Sequence, residues 1–99
     1  MKTKFVPAIH PGEVLREEYL APLGMSAGAL ARKLHVPRTR IERIATEQAP
    51  ITTNTALRLA KFFDTTPEFW MSMQTAYDLG QEAKVLAQEL AAIETLQAA

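Results

Sequence analysis

Apolar positions recur at three- and four-residue steps along most of the chain, and strand-like alternation is absent, so the pattern predicts helices. Val14, Leu15, Tyr19 and Leu20 share one face of a first helix from Pro11 to about Leu20. Pro11 suits the first helical position, where a missing N–H costs nothing, and Pro22 and Gly24 end the segment. Ser26 caps a second helix through Leu34, with Leu30, Ala31 and Leu34 inward and Arg32 and Lys33 outward. After His35 the chain turns. Pro37 then starts a third helix to about Thr46, with Ile41, Ile44 and Ala45 inward. Glu47–Thr53 reads as a loop, and Thr52 or Asn54 caps a fourth helix through Phe63 that carries Ala56, Leu57, Leu59, Ala60 and Phe63. From Thr66-Pro67 a fifth helical pattern runs nearly to the C-terminus, weakened only at Gly80. The expected fold class is therefore all-α, a five-helix domain with an extended last helix. Its divisions are an arm at 1–9, a core domain at 10–79 and a helical extension at 80–99.

Composition narrows the possibilities. With 99 residues and 47% apolar content, the chain has room for one small core. Cysteine is absent, which excludes disulfide scaffolds and thiolate chemistry and fits a reducing, cytoplasmic setting. Met1–Ile9 lacks the apolar run of a signal peptide, and nothing approaches a membrane span. The formal net charge is zero, but its distribution is uneven. Arg32, Lys33, Arg38, Arg40 and Arg43 face only Glu42, whereas from Asp64 onward six acids face Lys84 alone. The basic run has two readings, an electrostatic footprint for DNA or a solvated helix face.

Met25–Ala45 decides between them. Two short helices meet across a tight turn at Leu34–Pro37, with Ala27 and Ala31 where the helices approach. Leu30, Leu34, Val36, Ile41 and Ile44 lock the pair. A helix-turn-helix is built this way: the first helix braces the second, whose N-terminal half enters the major groove. With Ile41 and Ile44 inward, Arg38, Thr39, Glu42 and Arg43 point outward and Arg40 lies near the edge. Arg38, Thr39 and Arg43 are the expected base readers, since arginine can donate twice to guanine O6 and N7. Lys33, Pro37 and Arg40 are the expected phosphate contacts, which position without reading sequence.

Further motifs carry a family resemblance over His10–Leu79. They are His10-Pro11-Gly12-Glu13-Val14-Leu15, Leu30-Ala31, Val36-Pro37, Ile51-Thr52, Thr55-Ala56-Leu57-Arg58-Leu59-Ala60, Thr66-Pro67-Glu68-Phe69-Trp70 and Met73-Gln74. The chain resembles the lambda-repressor-like helix-turn-helix superfamily, specifically the HigA-type antitoxins of bacterial toxin–antitoxin systems. That resemblance implies a homodimer on an operator palindrome in its own promoter. It also implies a HigB-type toxin partner, a RelE-like ribonuclease that cuts messenger RNA. Three departures stand out. Thr46, Glu47, Gln48 and Ala49 replace an Asn-Gly turn and basic residues, placing a negative charge near the DNA. His35 occupies a turn position often held by glycine, which histidine tolerates in the left-handed region. The tail beyond Leu79 is longer than the motif requires. The departures keep an alternative open: a stand-alone regulator, or a protein-interaction module with weak DNA binding.

In the tail, Phe69, Met73, Ala76, Gly80, Ala83, Leu86, Leu90 and Ile93 form a narrow seam. Its first part is expected on the core. Ala83, Leu86, Leu90 and Ile93 are expected to contact a second copy or a toxin, against the alternative of a solvated helix. Trp70 and Tyr77 read as core rather than a ligand patch. His10 and His35 lack an acidic or nucleophilic partner at motif spacing, and His10 before Pro11 reads as a cap or packing residue. No catalytic constellation, cofactor motif or metal-ligand cluster is present, and no enzyme is expected.

Overall fold

The computed structural model describes residues 8–97, so the expected arm at 1–9 lies mostly outside the described residues. Six helical elements follow one another, with no strand among the described residues. Helix α1 spans residues 11–23 as three fused segments: Pro11–Val14, a π-helical turn Leu15–Leu20, and Ala21–Leu23. Helices α2 (Ala27–Leu34), α3 (Arg38–Ala45), α4 (Thr53–Phe63), α5 (Pro67–Val85) and α6 (Ala87–Ala92) complete the chain.

The helix ends have local causes. His10 Nδ1 accepts from the Gly12 N–H at 2.8 Å, so the histidine is a cap, as its place before Pro11 suggests. Its ring also packs edge-to-face on Tyr77, with centroids 4.8 Å apart. Ser26, Thr52 and Thr66 cap α2, α4 and α5, each accepting from a backbone N–H three residues on. His35 adopts the left-handed region at φ 60°, and the Val36 N–H reaches back to the Ala31 oxygen, so a helix stop and the start of the next element share two residues.

Three boundaries differ from expectation. Helix α1 continues to Leu23 with Pro22 inside it, and the left-handed Gly24 ends it. The Ala21 N–H bonds the Arg16 carbonyl five residues back, and this wider turn accommodates a proline ring that would otherwise meet the Glu18 carbonyl. Pro37 is the cap of α3 rather than its first residue, because its extended ψ of 144° precedes the first helical turn. The last helix breaks at Leu86 and not at Gly80, which lies within α5.

The core joins Leu15, Leu30, Ile41, Ile44, Ile51, Leu59 and Trp70, all essentially inaccessible. Trp70 stacks obliquely on Tyr19 at 5.1 Å and donates from Nε1 to the Thr65 hydroxyl at 2.9 Å. The face of α5 on the core is rotated from the expected seam. Trp70 and Gln74 are buried and Met73 and Tyr77 half-buried, whereas Phe69 is 39% exposed and Ala76 is open. Gln74 is the polar member of that face. Its Oε1 accepts from the Ile51 N–H at 2.7 Å and its Nε2 donates to Asp78 at 2.9 Å, so a loop amide that no helix satisfies finds its partner here. Leu57, in contrast, faces outward at 60% exposure.

Candidate nucleic-acid interface

Packing leaves one face of α3 free. Ile41, Ile44 and Ala45 hold the helix on α2 and α1, which turns Arg38, Thr39, Arg40 and Arg43 outward. Gly12 permits this arrangement. A Cβ there would overlap the Ile44 carbonyl oxygen and come within 3.0 Å of His10 Nδ1, so α1 and the end of α3 touch backbone to backbone. Gly28 on α2 similarly lies beneath Arg38, whose Cδ would be 3.0 Å from an added Cβ.

The exposed arginines differ in what holds them. Arg38 Nε pairs with Glu42 at 3.3 Å, one turn along, while its side chain remains 70% exposed. Arg43 Nη2 donates to the Gln48 carbonyl at 3.4 Å. Arg40 Nη1 donates to Asn54 Oδ1 at 3.0 Å, on the first turn of α4. Pro37, Thr39, Arg40 and Arg43 line one side of an open groove of about 580 Å³, and Pro50, Thr52 and Asn54 line the other. Arg38 stands outside that groove at the N-terminal end of α3. Lys33 is not brought to it either. It lines a separate hollow of about 410 Å³ with Leu34, His35, Arg58, Lys61 and Phe62, beside the C-terminus of α2.

The structure also reassigns Glu47. It occupies a left-handed position at φ 64° just past α3, the place of the expected Asn-Gly turn. Its carboxylate pairs with Arg16 Nη2 of α1 at 3.3 Å, while Arg16 Nη1 bonds the Ala45 carbonyl. The carboxylate expected to oppose DNA is therefore tied to the domain by a cation that it shares with Glu17, 2.9 Å from Arg16 Nε. Hydrogen bonds from Arg16 to Glu17 and to Glu47 favour its charged form and outweigh the partial desolvation. Asn54, the alternative cap of α4 in the sequence, lies inside that helix, where Thr52 is the cap, and the sequence assigns no role to Arg58. Their four-residue spacing places them on one face of α4, but only the fold brings that face to Arg40. Among the described residues no group of three or more His, Cys, Asp or Glu side chains is placed to hold a metal, and no helix is long and apolar enough to cross a membrane.

Residues 15–70 match the family described as Helix-turn-helix (HTH_3). The chain is 60% identical to virulence-associated protein I of Dichelobacter nodosus over 75% of its own length and 68% of that protein. It is 37% identical to antitoxin HigA-1 of Vibrio cholerae, covering 79% of this chain and 72% of the relative. The structure of Pseudomonas aeruginosa antitoxin HigA with the higBA promoter superposes with a TM-score of 0.88 at 38% identity, over 91% of this chain and 99% of that one. A free arginine-bearing helix on this scaffold, with these relatives, places the chain in the helix-turn-helix family of HigA-type antitoxins.

Proposed function

We propose that the chain is a DNA-binding repressor and antitoxin that acts on an operator in its own promoter and neutralises a HigB-type, RelE-like toxin. It is not an enzyme on this reading, and it acts where the DNA is, in the bacterial cytoplasm. The observation that carries the reading is the outward face of α3, set on the backbone of an antitoxin solved with its promoter. Arg38, Thr39 and Arg43 read bases, while Pro37 and Arg40 position the helix on phosphates. Lys33 contacts phosphate only where the duplex reaches the hollow beside α2. The pairing of Glu47 with Arg16 draws that carboxylate toward α1 and supports the DNA-binding reading, while the missing basic residues after α3 keep a protein-interaction module with weak DNA binding as the alternative.

The test is a titration against the DNA upstream of the chain's own gene and against a scrambled duplex at near-physiological salt. A preference of about a thousandfold is expected. Arg38→Ala or Arg43→Ala should each cost about 1–3 kcal/mol at one base pair and relax preference there. Equal, weak binding to both duplexes, or no change of preference in either variant, would remove the base-reading roles.

Dimerisation through the tail is part of the same reading. Leu90 and Ile93 are 48% and 67% exposed, Leu86 is half-buried, and Ala83 is open. A C2 pair that reads two half-sites in successive major grooves needs its two α3 helices about 34 Å apart. Changing Leu86, Leu90 and Ile93 to glutamate together should shift sedimentation to the monomer while leaving helical content and the thermal transition of the core in place. A dimer that persists would exclude the tail as the joint.

A further inference from the structure

Asn54 Oδ1 accepts two guanidinium donors at once, Arg40 Nη1 at 3.0 Å and Arg58 Nε at 2.9 Å. Arg58 Nη1 also donates to the Leu34 carbonyl at 2.8 Å, at the C-terminus of α2. Two side chains on α4, Arg58 and Asn54, thus connect the last turn of the bracing helix to the outward edge of the recognition helix. The acceptor's charge matters as much as its position. Arg38 and Arg16 are paired with carboxylates, which cancel much of their field. Arg40 is held by an amide oxygen, which orders a long side chain without neutralising it. Ordering a free arginine at the moment of binding costs entropy, and a cation already aimed avoids part of that cost.

We propose that Asn54 is a positioning residue for DNA binding: as a neutral acceptor fixed by Arg58, it aims the Arg40 guanidinium across the groove between α3 and α4 at a backbone phosphate. Arg40 keeps its remaining donors for the phosphate. The inference rests on the DNA-binding reading above and adds a residue that the recognition helix does not contain.

The experiment is a double-mutant cycle on the full chain, with the duplex from upstream of its own gene titrated over a series of salt concentrations. Asn54→Ala is expected to weaken binding about three- to tenfold in the wild-type background and to have almost no effect in Arg40→Ala. Arg40→Ala should lower the salt slope by about 0.9, the signature of one lost phosphate contact. Asn54→Asp separates positioning from folding. An acid on the first turn of α4 suits the helix dipole, so thermal stability should hold or rise, yet it would cancel the Arg40 charge and reproduce the lower salt slope. Additive losses from Asn54→Ala and Arg40→Ala, or an Asn54→Asp variant with wild-type slope and affinity, would overturn the role of Asn54 and leave the DNA reading intact. A wild type that binds neither this duplex nor a scrambled one would overturn both.

Discussion

Gly12→Ala is expected to destabilise the fold by about 3 kcal/mol or more, although it introduces a better helix former. Alanine gains about 1 kcal/mol over glycine within a helix. The opposing cost is a methyl group driven into the Ile44 carbonyl, with His10 Nδ1 on its other side. Neither obstacle is the free end of a side chain. The Ile44 oxygen already accepts from the Glu47 N–H at 2.9 Å, and His10 Nδ1 accepts from Gly12 itself. Relief therefore requires α1 to move away from α3, which opens the contact of Arg16 with Ala45 and Glu47. For a domain of this size such a loss is a large share of the total stability. Urea unfolding followed by circular dichroism measures it. A Gly12→Ala variant within about 0.5 kcal/mol of wild type, the range of ordinary surface changes, would show that the backbone contact yields easily.

Trp70→Ala should cost about 3–5 kcal/mol, the range for removing a fully buried large aromatic side chain. Trp70 is inaccessible and contacts Tyr19, Phe63 and Phe69, so its loss leaves a cavity at the junction of α1, α4 and α5. The Thr65 hydroxyl also loses the indole donor in the turn between α4 and α5. It is the only tryptophan in the chain, so the variant must be followed by circular dichroism rather than by intrinsic indole fluorescence. A thermal midpoint lowered by only a few degrees would mean that Phe69 or Phe63 collapses into the space.

Features governed by near neighbours were legible in the sequence. The caps at His10, Ser26, Thr52 and Thr66 depend on residues two or three positions away, and the outward set on α3 follows from Ile41 and Ile44 alone. What the sequence hid depends on distant parts of the chain. Gly12 matters because the end of α3 crosses it, and Glu47 pairs with Arg16, which precedes it by 31 residues. On α5 the sequence marks Trp70 and Tyr77 as core, and the structure buries Trp70 and half-buries Tyr77, whereas the seam drawn through Phe69 and Ala76 misses the inward face. Gln74 is buried there with hydrogen bonds to Ile51 and Asp78, and a seam drawn through apolar residues alone leaves it out. Asn54 and Arg58 stood in plain view, but their bearing on Arg40 is a product of packing.

The break at Leu86 leaves α6 as a six-residue segment with no buried residue. Isolated helices shorter than about 12–15 residues are marginal in water, because the few hydrogen bonds formed do not offset the cost of nucleation. Helix α6 therefore depends on its continuity with α5, through the Leu86 N–H to Glu82 and the Leu90 N–H to Leu86, rather than on any core contact of its own. Any molecule that covers Leu90 and Ile93 must also order the backbone that carries them. That ordering cost reduces the affinity of any such contact.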